Sequence, residues 1–230
     1  MLHRRSTLAG AFALLLAGCD DEPAQRNAFA EYLQKRILDR QGVHVPRPTA
    51  EETKSWGDYA KHYAIIVEFN DALTERVSKP MQQAVQRGGI TSIQGMVDRR
   101  ADLAAMQRGM AELAAELDRQ LAKADAARAA LPLPADLKPV YDAAYARDVT
   151  GPAVAFKEVF PAVNESLAAA IALADLLAQN RARIRVNGAM VETADAALQR
   201  DVQARLTALN GTAQQVQSAQ RRLQSLITGS

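Results

Sequence analysis

Cysteine occurs once in 230 residues, at Cys19. An internal disulfide is therefore excluded, and so are a cysteine-ligated zinc and a paired-cysteine redox motif. Histidine is nearly as scarce, with His3, His44 and His62. None of them stands in a His-x-x-x-His or Glu-x-x-His arrangement, so neither the metal spacing of a zinc enzyme nor that of a bundled di-metal site is present. No phosphate-cradling glycine loop, dinucleotide fingerprint or strand-elbow serine occurs. These absences predict no cofactor, no metal and no catalysis. Charge of one sign is lacking too. Lys and Arg number 28 against 26 Asp and Glu, which gives no basic surplus for a nucleic-acid partner. Past the N-terminus no apolar run reads as a membrane span; the nearest, 167–178, is interrupted by Asp175.

What is present begins at the N-terminus. His3, Arg4 and Arg5 precede an apolar run from Leu8 to Leu16, which is the layout of a secretory signal. Leu16-Ala17-Gly18-Cys19 follows and resembles the lipobox of bacterial lipoproteins. The resemblance implies a diacylglyceryl group on the Cys19 thiol, cleavage before Cys19 and acylation of the new amino group, such as with palmitate. One acyl chain holds a protein only marginally, at about 0.8 kcal/mol per buried methylene, whereas two or three anchor it stably. Asp20 directly after the cysteine resembles an inner-membrane retention signal. The expectation is a signal peptide over 1–18, a lipidated cysteine with a short tether over 19–27, and one helical domain over 28–228. Loss of Arg4 and Arg5 with the signal takes the basic residues from 28 to 26, level with the acidic ones.

The remaining chain reads as all-α, an elongated multi-helix bundle with long antiparallel helices. Alanine dominates, aromatics make up 5% and glycine is sparse outside boundaries, which leaves long windows of helix formers. A first helix is predicted over 23–40, with Gly42 as its stop. Pro46 and Pro48 make 43–48 an extended connector. Thr49 and Glu52 form a capping box that opens a second helix to about residue 79, with Trp56, Tyr59, Tyr63, Ile66, Leu73 and Val77 along one stripe. Gly88-Gly89 is a break. A long heptad-patterned helix over 92–130 carries Met96, Leu103, Met106, Met110, Leu113 and Leu117 at a and d positions. Gly109 inside it invites a close helix crossing. Pro132 and Pro134 end it. A short helix with Tyr141 and Tyr145 inward then leads to a turn at Thr150-Gly151-Pro152. The next helix runs to about Arg181, kinked near Pro161. Ile184 to Val191 around Asn187-Gly188 predicts a small β-hairpin or a tight loop. Thr193 is read as the cap of a last helix, with Leu198, Val202, Leu206, Leu209, Ala213, Val216, Leu223 and Ile227 inward and a break at Asn210-Gly211.

Several of these residues carry a family likeness. Gln25 to Phe29 with Tyr32-Leu33-Gln34, Tyr59 to Ile65, the block Asp136 to Tyr141 and the Asn187-Gly188 turn resemble YiaF-like bacterial lipoproteins, a family of unknown function. The resemblance implies a lipid-anchored protein facing the envelope and brings no catalytic residue with it.

For function, Trp56, Tyr59 and Tyr63 are the candidate face for a ligand or partner, although an aromatic stripe at helical spacing is also what a core looks like. Met96, Met106 and Met110 allow an adaptable groove or ordinary core filling. His62 lies one helical turn after Asp58, close enough for an oriented base or a surface hydrogen bond. Glu112 and Glu116, and likewise Asp98 and Asp102, share helix faces with arginines close by, as solvated faces do. The leading expectation is a lipid-anchored, periplasm-facing helical bundle that binds a protein partner or serves a structural role. The alternative is a carrier or sensor of small apolar ligands, which requires an enclosed pocket beside the aromatic helix.

Overall fold

A computed structural model describes residues 21–87, 92–188 and 190–230. The described residues form seven helices and one β-hairpin. Helix α1 covers 22–38 and ends in a π-helical turn, Gln34–Leu38. Helix α2 is Ala50–Ser55. Helix α3 covers 59–87, with a π turn at Thr74–Ser78. Helices α4 and α5 are Ile93–Asp98 and Arg100–Ala129. Helix α6 runs unbroken over 138–179, with a π turn at Ala146–Thr150. Strands β1 (Arg185–Asn187) and β2 (Met190–Glu192) precede α7, Ala196–Thr228.

Local chemistry sets the boundaries. Both halves of the Thr49–Glu52 capping box are made: Glu52 N–H donates to Thr49 Oγ1 at 3.1 Å, and Thr49 N–H to Glu52 Oε2 at 2.7 Å. The helix it opens is shorter than expected. Gly57 adopts φ +55° and splits the predicted 50–79 helix into α2 and α3. A Cβ at Gly57 would also lie 2.1 Å from Gln25 Oε1. The 92–130 helix is divided as well. Arg99 leaves the helical region at φ −109°, ψ 23°, so α4 and α5 meet at an angle that turns Ile93 into a core cluster beside the hairpin. The Gly88-Gly89 break lies outside the described residues.

The expected turn at Thr150-Gly151-Pro152 is absent, and the helix passes through it. Proline deprives the carbonyl four residues back of its amide. For Pro152 that carbonyl is Asp148 O, and for Pro80 it is Arg76 O. Both lie inside π turns, where the helix has already widened. Asp148 O gains a substitute donor, Asn70 Nδ2, at 3.2 Å. Helix α6 also continues through Pro161. It therefore reaches 42 residues, about 63 Å at the α-helical rise. By length and composition it is apolar enough to cross a membrane, contrary to the expectation from the sequence. That expectation counted from Leu167 and missed the apolar positions that precede it in the same helix. Its apolar residues Phe156, Phe160, Val163, Leu167 and Leu173 lie in the protein core.

Side-chain pairs give the helix directions. Tyr145 with Asp125, Lys157 with Asp118 and Arg100 with Asp175 make α5 and α6 antiparallel. Arg222 with Glu158, together with the packing of Leu198 and Val202 in one cluster with Leu173 and Leu177, does the same for α7 and α6, and Lys123 with Glu68 and Arg76 with Glu116 for α3 and α5. At one end α1 and α3 both run parallel to the first part of α6: Arg26 meets Asp136, His62 meets Tyr141 and Asn70 meets Asp148. Connector 39–49 must therefore travel back between them.

One core fills this arrangement from Phe29 to Ala170, and a smaller one beside it joins Ile93, Leu173, Leu177, Ile184, Val191, Leu198 and Val202 under the hairpin. On α5 the deeply buried row is Leu103, Met110, Leu117 and Ala124, seven residues apart; Met96, Met106 and Leu113 are only half-buried. Gly109 touches nothing within 4 Å of a built Cβ, so it serves no close crossing. The hairpin pairs Val186 with Val191 and Asn187 with Met190, so its turn begins at Gly188 (φ +61°) rather than centring on Asn187-Gly188. Asp195, not Thr193, caps α7 by accepting from Ala197 and Leu198 N–H. Helix α7 runs through Asn210-Gly211, and its inner face drifts from the expected one: Ala219 is buried while Ala213 and Ile227 are exposed.

Leu117 is fully buried, so Leu117→Asp places an unpaired charge at the centre of the bundle. A loss of about 4 kcal/mol is expected in chemical denaturation. A midpoint equal to that of the parent would contradict the assigned α5 face.

Candidate functional site

The three aromatic candidates are core residues. Trp56, Tyr59 and Tyr63 are 2%, 7% and 1% exposed. Their rings meet those of α1: Trp56 lies 4.5 Å from Tyr32 and 5.4 Å from Phe29 between centroids, Tyr63 lies 5.3 Å from Tyr32, and Tyr59 stacks on Phe29 at 5.8 Å. The stripe faces α1 because helical spacing aims all three side chains to one side and α1 covers that side. Trp56 borders a surface depression. That depression is shallow, about 290 Å³, and is shared with the charged Glu31, Lys35, Arg36 and Glu52. The three rings are buried against Phe29 and Tyr32, so the reading of them as a ligand face is corrected to core packing. Cys19 and Asp20 lie outside the described residues.

His62 is also turned inward, 7% exposed among the rings of Phe29, Tyr59 and Tyr141. Its Nδ1 is buried without a hydrogen-bond partner. Asp58 is exposed and pairs with Lys61 at 2.7 Å instead. The expected imidazole–carboxylate hydrogen bond is therefore not formed. Burial holds the imidazole pKa below its usual value, only partly offset by the negative charge of Asp58.

The structure brings together a set of polar groups that sequence reasoning did not single out. They surround connector 39–49, a turn over 39–42 followed by irregular backbone over 43–49, lying against α1, α3 and α6. Tyr32 and Tyr63 both donate to Pro46 O, at 3.2 and 2.7 Å. His44 N–H donates to Asp148 Oδ1 at 3.2 Å. Arg147 donates to Leu38 O at 2.7 Å, to Gly42 O at 2.9 Å and also to Arg40 O. Val43 N–H donates to Ile227 O at the end of α7, at 3.0 Å. Gly42 is needed here. It sits at φ +70°, and a Cβ would fall 2.1 Å from Ile227 O.

Asp148 is the exceptional member. It has no exposed surface, and its Oδ2 has no partner. Burial pushes its carboxyl up to about 7, against the pull of the His44 N–H and the Arg147 charge. Burial likewise raises the Tyr63 and Tyr32 hydroxyls above the ordinary tyrosine value, so both remain donors. One sequence signal did point here: Pro152, four residues after Asp148 in a helical window, marks a carbonyl that needs another donor.

Elsewhere, an open groove of about 500 Å³ lies between the end of α3 and the start of α5. Ala84, Met106, Gly109 and Leu113 form its apolar part, and Asp102 and Glu112 its acidic rim. Met110 belongs to the core, whereas Met106 is the methionine that reaches this surface. Asp98 and Asp102 carry hydrogen bonds from Gln94 and Arg99, and Glu116 from Arg119 and Gln120. Among the described residues no group of three or more His, Cys, Asp or Glu converges as metal ligands would.

The depressed pKa of His62 makes a signed prediction. Its contribution to stability is full above the unfolded value of 6.5 and is lost as pH falls below it. His62→Phe removes that loss. The melting temperature of the variant relative to the parent should therefore rise as pH is lowered from about 7 to about 5. A pH-independent difference would contradict the buried, unpartnered Nδ1.

The family described as protein of unknown function (DUF3053) matches residues 7–224. The chain is 31% identical over 171 residues to the uncharacterized protein YiaF of Escherichia coli strain K12, covering 74% of this chain and 72% of that one. The same figures hold for YiaF of Escherichia coli O157:H7 and of Shigella flexneri. No solved structure matches. A helical body with a late Asn-Gly hairpin, matched by the family pattern over nearly its whole length, belongs to the DUF3053 family.

Proposed function

We propose that this chain is a lipid-anchored cell-envelope protein, facing the periplasm from the inner membrane, whose helical body binds a protein partner or braces one and carries out no catalysis. The carrying observation is the N-terminal sequence: basic Arg4-Arg5, the apolar run to Leu16, and Leu16-Ala17-Gly18-Cys19 followed by Asp20. Only Asp20 and Asp21 separate Cys19 from α1, which begins at Glu22. An acylated Cys19 would thus hold the start of α1 close to the bilayer, with little slack. Three features support docking over turnover. The aromatic rings are used up in the core. Tyr32, Tyr63, Arg147 and Asp148 Oδ1 bond the backbone of the connector. The open groove beside Met106 offers an apolar floor with a charged rim, the composition of a protein-binding surface rather than of a small-molecule chamber.

Cys19→Ser tests the anchor. Labelled palmitate should enter the parent and not the variant, and the variant should accumulate as uncleaved precursor. Normal cleavage of Cys19→Ser to a soluble product would overturn the proposal.

A further inference from the structure

We infer that the π turn of α6 is a proton-controlled latch: with Asp148 uncharged it grips connector 39–49 and, through it, the end of α7, and with Asp148 charged it loosens both. The inference rests on geometry within the described domain and is independent of the lipid anchor.

The path is short. Asp148 Oδ1 accepts from His44 N–H. The preceding residue, Val43, donates its N–H to Ile227 O in the last turn of α7. Gly42, one step earlier, is held by Arg147 through its carbonyl and meets the α7 end so closely that a Cβ at Gly229 would lie 2.4 Å from Gly42 N. Three consecutive residues of the connector therefore join the π turn to the C-terminus of α7. A change at Asp148 reaches α7 without passing through the hydrophobic core.

The carboxyl is built for the uncharged form. It has no exposed surface, Oδ2 has no donor, and the single hydrogen bond to Oδ1 serves a neutral carboxyl as well as a carboxylate. The groups facing it from each packed element do not supply a partner. On α6 itself Arg147 contributes a favourable charge, but its guanidinium is committed to the three carbonyls. On α3, Tyr63 donates to Pro46 O and Asn70 to Asp148 O, while Asp71 pairs with Arg47 of the connector. On α1, Tyr32 also donates to Pro46 O. The His44 side chain is exposed and offers only its backbone N–H. From α7, Arg222 pairs with Glu158. Ionisation in place therefore leaves a buried charge with one backbone hydrogen bond and one neighbouring cation. Opening the connector relieves it by admitting water.

The sign follows from the raised carboxyl. The closed state binds the proton more tightly than the open state, so closure is strongest below the ordinary value of 3.8 and weakens as pH rises to about 7, above which it changes no further. His62 acts in the opposite direction, so a whole-molecule melting temperature mixes the two, and a local readout is needed.

Amide hydrogen exchange on the full chain supplies it, after correction for the intrinsic rate. In the parent, the opening constant of amides in 39–45 and 224–229 is expected to rise by up to about tenfold per pH unit between 3.8 and about 7, then to level off. In Asp148→Asn, which copies the neutral carboxyl, the same amides should show a flat, low opening constant, while amides of the hairpin behave as in the parent. A pH-independent opening constant in the parent, or the same rise in Asp148→Asn, would overturn the latch. Should the variant fail to fold, carbon-13 titration of the Asp148 carboxyl in the parent decides. Midpoint near neutrality supports the latch, and one in the ordinary carboxylate range overturns it.

Discussion

The structure depends on how connector 39–49 is satisfied. Three helices, α1, α3 and the first part of α6, run in the same direction at one end of the molecule. Two that follow each other in sequence can do so only if the chain returns between them. Here the return is irregular backbone half-buried against aromatic rings, with no sheet to take its backbone polar groups. Each such group left unpaired costs about 1–3 kcal/mol. Arg147, Asp148, Tyr32 and Tyr63 take most of that cost away. Where an ordinary fold uses a β-ladder, this one uses side chains drawn from three helices.

The π turn of α6 is what makes the arrangement fit. It lets a 42-residue helix pass Pro152 without ending, and it aims Arg147 and Asp148 at the same stretch of backbone. The helix can then act as a spine, carrying α1 and α3 on its first part and α5 and α7 along its remainder. Two consequences meet in the proposed role. The start of α1, where an acylated Cys19 would attach, is tied to the start of that spine by Arg26 and Asp136. The groove beside Met106 lies on another face, between α3 and α5, open to a partner.

What the sequence revealed is what neighbours in sequence decide. The Thr49–Glu52 box, the 3.6-residue stripe of α3 and the Asn187-Gly188 hairpin are local events with short-range signals. The helical class followed from composition. Several of the errors share one cause, a contact distant in sequence, whereas the Asp195 cap and the Arg99 break are local details. Pro152 reads as a helix end unless Asn70, far away in the chain, donates to the carbonyl that proline leaves orphaned. Gly57 splits a helix at φ +55°, where Gln25 of α1 occupies the space a Cβ would need. Trp56 and Tyr63 give the same spacing whether they face a ligand or face α1, and only the position of Tyr32 and Phe29 distinguishes the two. Arg147 and Asp148 carried no motif at all, since their partners are carbonyls and an amide, which every residue possesses.

The central claim is that side chains of the π turn hold a partly buried, sheet-less connector. Arg147→Met tests it most directly, because it keeps the aliphatic stem and removes the donors to Leu38, Arg40 and Gly42. Equilibrium denaturation should show a loss of about 2–4 kcal/mol, the sum expected for carbonyls left short of charged donors. A change below about 0.5 kcal/mol, typical of an ordinary surface substitution, would contradict the account.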